Sequence, residues 1–332
     1  MSQRFRLGFL THLEGSGDPR QIYQETLEWF VAADELGFDV GWIAQHHFHI
    51  HPGRLPSPFP FLAAAAQRTK HIRLGTSIVV MPLELPLRVA EDAAVVDALS
   101  DGRLELGIGS GGERGEFEAF GLDMARRREL TSDGVQMLQR ALRGESLNAS
   151  EQRLDPPAPT LVNRLWQSAL SPTGVQYVAQ QGSGLLLSRA AWEEDKPTDQ
   201  VQAPLAKAYL AAWQDKTIQP RVGLSRGIYP TTDKRTALAA LREPVLRTMQ
   251  KQRHVPSDQP LEYYCHRMHI AYGNSEEVAA YLAADQALPY ATDLILQFNP
   301  VSPPLDQALR MLEQIATEVA PALGWKKAGA NN

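Results

Sequence analysis

The sequence predicts an α/β fold of one kind, a (β/α)8 TIM barrel. Three observations carry this. Eight short apolar runs alternate with stretches of helical period. Several runs stop on polar side chains, as strands do at the catalytic rim of a parallel barrel. The length, 332 residues, suits one such barrel with insertions, so 1–332 reads as a single domain. A doubly wound open sheet is the rival. The first run is not followed by G-x-G-x-x-G, which counts against it.

The elements run in order. Residues 5–10 form a first strand that leads into the polar segment Thr11-His12-Leu13-Glu14. Asp18 as cap and Pro19 in the first turn start a helix, Tyr23, Leu27, Phe30 and Ala33 give it one apolar face, and Gly37 ends it. The run 41–47 is a second strand that ends on two histidines, followed by a His-, Pro- and Gly-rich loop, 48–58. A helix over 59–68 precedes a β-branched strand, 72–80. Helix 86–99 closes at Asp101-Gly102, and strand 104–108 alternates into Gly109-Ser110-Gly111-Gly112.

The second half repeats the pattern less cleanly. A helix covers 126–143, strand 165–169 leads into Ser171-Pro172-Thr173-Gly174 and a helix, and strand 184–188 ends at Arg189. Helix 200–215, strand 221–229, helix 233–252, a helix capped by Ser275, strand 292–298 and a final helix through Val319 complete the count. Insertions are expected near 110–126, 144–163 and 253–272, the last irregular, with Tyr263, Tyr264 and His266 either lining a pocket or filling a lid.

Composition excludes several classes. A net charge of −5 and a pI near 6.0 argue against nucleic acid and anionic membranes as partners. Cys265 is the only cysteine, so no intrachain disulfide forms. No apolar run approaches a membrane span or a signal peptide, and a cytoplasmic protein is expected. His47, His49 and His51 alternate, so an extended segment would align three imidazoles. That pattern raises a metal-dependent barrel hydrolase as an alternative. The later strands do not end on further ligands, which weakens it.

Five blocks in the first 125 residues stand in a telling order. They are Gly41-Trp42-Ile43-Ala44-Gln45-His46-His47-Phe48, Leu74-Gly75-Thr76, Pro86-Leu87-Arg88-Val89-Ala90-Glu91-Asp92, Leu99-Ser100-Asp101-Gly102-Arg103 and Glu116-Phe117-Glu118-Ala119-Phe120-Gly121. Together they resemble the bacterial luciferase-like flavin-dependent monooxygenases, and the resemblance continues more thinly to the C-terminus. It implies reduced FMN and O2 as co-substrates, a small organic substrate, a homodimer, and a separate flavin reductase. A deazaflavin (F420)-dependent oxidoreductase of the same superfamily is the alternative within it.

The resemblance also implies site residues. His46 matches the first histidine of the family's Glu-His-His motif, an acid/base beside the flavin; an imidazole suits proton movement near neutral pH. The motif's acid is Gln45 here. Thr76-Ser77-Ile78 matches a backbone bulge that buttresses the flavin ring, commonly with a non-prolyl cis peptide, expected at Ser77–Ile78. Ser171, Thr173 and Gly174 open a helix whose N-terminal N–H groups would receive the phosphate. Ser110 and Gly111 let backbone approach the ligand. Luciferase carries a phosphate-binding arginine at the position of Ser110, so Arg189, or Arg114, would supply that charge here.

Overall fold

Parallel strands need both faces covered, and the sequence supplies this by following most strands with a helix. The computed structural model describes residues 5–15, 17–49, 52–192, 194–250, 252, 255–256 and 258–327. Its strands are β1 (Arg6–Thr11), β2 (Val40–Ile43), β3 (Arg73–Thr76), β4 (Val79–Val80), β5 (Leu104–Gly109), β6 (Leu165–Ser168), β7 (Gly184–Leu187), β8 (Val222–Pro230), β9 (Ile270–Gly273) and β10 (Asp293–Gln297). The order β1-β2-β3-β5-β6-β7-β8-β10 closes through β10–β1 pairing, and every ladder is parallel. This is the predicted closed eight-stranded (β/α)8 barrel.

The helices are α1 (Pro19–Leu36), α2 (Pro58–Arg68), α3 (Pro86–Leu99), α4 (Arg114–Ala119), α5 (Arg127–Leu142), α6 (Pro172–Gln180), α7 (Thr198–Ala212), α8 (Lys234–Met249), α9 (Leu261–Arg267), α10 (Ser275–Ala283) and α11 (Leu305–Gln314). Local chemistry sets their ends. The Asp18 side chain accepts from Arg20 N at 3.0 Å, and Gly37 closes α1 at φ +89, where only glycine is unstrained. Ile22, Leu27, Phe30 and Ala33 form the buried stripe of α1, where Phe30 meets Phe9 of β1 edge to face.

Two elements differ from the sequence reading. The second strand stops at Ile43 rather than His47, because Gln45 turns its side chain into contacts with Val80, Glu84 and Pro56. The segment 253–272 is not irregular throughout; it holds α9 and β9. The long β8 leaves the barrel after Gly227 and pairs its last four residues with β9. Tyr264 fills this extension, buried, with its hydroxyl donating to Pro256 O.

Small and large residues alternate inside the barrel. Trp42 and Trp166 lie there fully buried, edge to face at 5.6 Å. Glycines make room for them: a Cβ on Gly75 would meet the Trp42 ring at 2.2 Å, and one on Gly184 the Trp166 ring at 2.4 Å. Each indole contributes on the order of 4 kcal/mol through apolar burial. Below them a charged layer closes the N-terminal end. Glu105 accepts from Arg6 Nη1 at 2.8 Å, Arg73 Nε at 2.6 Å and Trp166 Nε1 at 2.6 Å, while Asp293 accepts from Arg6 Nε at 2.7 Å. This layer fills the bottom of the barrel, and the opposite, C-terminal rim is where such barrels carry their sites.

Candidate active site

The rim is built from the segments that leave the strand ends. After β2 the chain departs from the ladder at Gln45, which is buried. Its carbonyl oxygen accepts from Val80 N at 2.7 Å, and its amide donates to Glu84 Oε1 at 2.7 Å and to Pro56 O at 3.0 Å. An amide can serve a donor and two acceptors at once; a carboxylate cannot. Gln45 thus ties the β2 exit to β4 and fixes the direction in which His46 leaves. Burial pushes the Glu84 carboxyl above its usual range, against the hydrogen bond from Gln45.

His46 is half-buried at this exit, and its Nε2 lies 2.9 Å from Nδ1 of His12, at the exit of β1. The two rings meet edge to edge, with centroids 5.2 Å apart and 21° between their planes. Gly53 allows this closeness: a Cβ there would meet His46 Cδ2 at 2.4 Å and His12 O at 2.9 Å.

Between β3 and β4 the strand bulges. Gly75 pairs with Glu105, and Val79 with Ile108, so Thr76, Ser77 and Ile78 face only Leu106 and Gly107. The Ser77–Ile78 peptide is cis, as expected from the sequence. The Thr76 hydroxyl bridges the interrupted ladder, donating to Gly107 O at 2.9 Å and accepting from Gly107 N at 2.8 Å. Ser77 N donates to Ile43 O at 2.7 Å. The wall beside the bulge is bare backbone: a Cβ on Gly109 would meet Ser168 Oγ at 2.6 Å and Ile78 Cδ1 at 2.7 Å. Ser110 is half-buried, and Gly111, at φ +67, packs against Val80.

The next two strands end in groups suited to an anion. After β6, Ser171 caps α6, accepting from Gly174 N at 3.2 Å, with Thr173 exposed beside it. After β7, Arg189 is half-buried, and its Nη1 is buried with no hydrogen-bond partner among the described residues. Burial pushes its pKa down to about 10, partly offset by the Glu14 carboxylate. Glu14, at the β1 exit, accepts from Asn299 Nδ2 at 2.5 Å and Ser302 Oγ at 3.2 Å, and burial raises its pKa despite these bonds and Arg189. Arg114 is exposed at the start of α4.

The three-histidine alternative loses its premise. Phe48 and His49 both have positive φ, +54 and +55, so the chain turns after His47 instead of running extended. His47 is buried against Phe48 and Phe120, its N–H donating to Glu116 Oε1 at 2.8 Å, while His49 is exposed and His51 lies outside the described residues. No group of three or more metal-ligating side chains gathers among the described residues.

The sequence reading placed His46, the bulge, the glycine wall, the capped helix and Arg189 on one rim, and the structure brings their strand ends to that rim. It missed His12 and Glu14. Both lie in the segment read as a polar rim loop, and nothing local singles them out; the β1–β2 and β1–β10 pairings set their positions.

Comparison with known proteins agrees with this geometry. Residues 4–313 match the family described as luciferase-like monooxygenase. The oxygenase component of the flavin-dependent trigonelline monooxygenase of Acinetobacter baylyi is 29% identical over 196 residues, 53% of this chain and 52% of that protein. The chain spans about half the length of the curated relatives it matches. Among solved structures, the FMN complex of the oxygenating constituent of 3,6-diketocamphane monooxygenase from Pseudomonas putida superposes with a TM-score of 0.77. It is 17% identical, with 96% of this chain and 98% of that one covered. The coenzyme F420-dependent tetrahydromethanopterin reductase of Methanopyrus kandleri superposes with a TM-score of 0.69, 14% identical, over 97% and 100% of the two chains. At these identities both share the fold. No helix among the described residues is long and apolar enough to cross a membrane.

Proposed function

The chain belongs to the luciferase-like monooxygenase family, and from that premise we propose that it is the oxygenase of a two-component system, using reduced FMN and O2 to oxygenate a small organic substrate. A separate reductase supplies the reduced flavin, and the working form is a homodimer in the cytoplasm. Reduced flavin supplies the electrons that activate O2. The protein contributes position, exclusion of water and a proton at His46.

The observation that carries the FMN reading is Arg189. A buried guanidinium nitrogen without a partner is costly unless a ligand completes it. It stands one strand from the Ser171–Gly174 helix start, where backbone N–H groups and hydroxyls favour phosphate. The bulge at Ser77–Ile78 and the side-chain-free wall at Gly107 and Gly109 suit a flat ring system lying across the mouth. His46 holds or releases the proton this chemistry needs. In this reading Gln45 acts as a brace behind the flavin pocket.

Anaerobic titration with photoreduced FMN, and with reduced riboflavin as the phosphate-free probe, tests this. Reduced FMN is expected to bind saturably and more tightly than riboflavin. Arg189→Leu is expected to cost FMN roughly tenfold in affinity while sparing riboflavin, the size of one lost charged hydrogen bond. Equal binding of the two probes sinks the phosphate assignment. Binding of F420 but not FMN moves the protein to the deazaflavin branch.

A further inference from the structure

Arginines gather at the N-terminal end of the barrel, and the function proposed above does not use them. Arg6 opens β1, Arg73 opens β3, and Arg164 and Arg221 stand one residue before β6 and β8. These are the strand ends opposite the rim. The four side chains line one cleft of about 580 Å3, together with the buried acids Glu105 and Asp293. Arg6 and Arg73 are 33% and 27% exposed, and Thr160 and Asn163 of the lining are exposed too, so the cleft reaches solvent.

The acids do not match the bases. Asp97 takes Arg164 as a two-pronged pair, at 2.7 and 2.9 Å. That leaves Glu105 and Asp293 for three guanidiniums. Glu105 is shared, with Arg73 at 2.6 Å, Arg6 at 2.8 Å and Arg221 at 3.7 Å. Asp293 serves Arg6 at 2.6 Å, and burial holds its carboxyl above the usual range. One positive charge is left over, and a proton on Asp293 makes it two. This surplus stands in a chain whose net charge is −5.

Arg221 is the residue left short. Its Nη2 donates to Leu165 O at 2.9 Å, and its guanidinium lies over the Trp166 ring at 4.5 Å. Its Nε is buried without a hydrogen-bond partner among the described residues. A layer that served stability alone would pair each buried cation, because an underpaired one is costly. A ligand that brings negative charge and acceptor oxygens removes that cost.

We propose that this cleft binds a phosphate-class anion, its phosphoryl oxygens held by the guanidiniums of Arg6, Arg73, Arg164 and Arg221. A phosphoryl dianion matches the charge surplus, and its oxygens suit the planar guanidinium fork. The volume leaves room for the organic part of a small phosphate ester. Bound there, the anion stabilises the N-terminal end of the barrel by mass action. The proposal does not depend on the oxygenase reading, because the flavin site argued above lies at the other end of the strands.

Calorimetric titration at constant ionic strength tests it, with inorganic phosphate, glycerol phosphate and malonate as probes. Arg189→Leu serves as the parent, so that the rim guanidinium does not contribute. One saturable site for phosphate is expected, with a Kd below about 1 mM. Asn163→Glu, an exposed change that adds a carboxylate to the lining, is expected to weaken it at least tenfold, whereas Asn163→Gln stays within about twofold. Tighter binding of glycerol phosphate than of phosphate supports an ester as the ligand, and equal binding supports the free ion. No saturable binding of either overturns the proposal. So does malonate binding as tightly as phosphate, or an Asn163→Glu protein that binds like its parent.

Discussion

The Thr76 hydroxyl both donates to and accepts from the backbone of Gly107, replacing the ladder bonds that the bulge at Ser77–Ile78 takes away. Thr76→Val keeps the shape and leaves a buried N–H and a buried carbonyl without this partner. The cost is expected to be about 2–4 kcal/mol, read as a lower urea midpoint. Thr76→Ser is expected to lose much less.

Gln45 serves one donor, Val80 N, and two acceptors, Glu84 and Pro56 O. Gln45→Glu, which restores the family's acid, places a carboxylate against both acceptors. It is expected to destabilise by about 2 kcal/mol at neutral pH. Because the carboxyl of Glu84 is already held above its usual range by burial, acidification that protonates either group should recover part of the loss. Thermal melts of the variant across pH check this; a melting temperature equal to the parent's at neutral pH contradicts it.

Much of this was legible from local chemistry. Asp18 and Gly37 mark their own helix ends, and the apolar runs mark the strands, because each signal lies within a few residues. What stayed hidden depends on register. His12 and His46 lie 34 positions apart, and only the pairing of Thr11 with Ile43 sets them side by side. Glu105 looked like one polar member of an alternating strand until barrel closure turned it toward Arg6, Arg73 and Arg221. The end of β2 was misplaced because Gln45 reads as strand-compatible, while its side-chain bonds go to residues far along the chain.

Glu105 provides an acid-stability test. Burial opposes its charge, but Arg6 and Arg73 win and hold its pKa at about 2. A depressed carboxylate stabilises the fold above its unfolded pKa, near 4.5, and loses that contribution as pH falls toward 2. Asp293 runs the other way: burial outweighs Arg6 and keeps its carboxyl above the usual range. Glu105→Gln is expected to cost about 3 kcal/mol at neutral pH and to flatten stability between those two pH values. Denaturant midpoints measured through that window decide it.

His269 gives the opposite dependence. It lies buried with Nε2 3.0 Å from Asp285 and Nδ1 3.4 Å from Asp199. Both ring nitrogens are buried, each facing one of these carboxylates. Burial lowers its pKa, yet the two carboxylates overcome this and raise it. A raised imidazole stabilises fully below the unfolded value, near 6.5, and the contribution fades as pH rises through the folded one. The parent's urea midpoint is expected to fall as pH rises above about 6.5, and that of His269→Gln to start lower and stay level. Parallel curves for the two proteins would count against the charge assignment.

Trp42 and Trp166, stacked edge to face in the barrel interior, have an optical consequence. Glycines on neighbouring strands leave room for both rings, which are fully buried, so their emission is expected to be that of indoles shielded from solvent. Oxidised isoalloxazine absorbs where indole emits, so a flavin bound at the rim would accept energy from them. Occupancy would dim that emission, and the protein would carry its own gauge of bound flavin, with Trp42→Phe and Trp166→Phe assigning the signal to each indole.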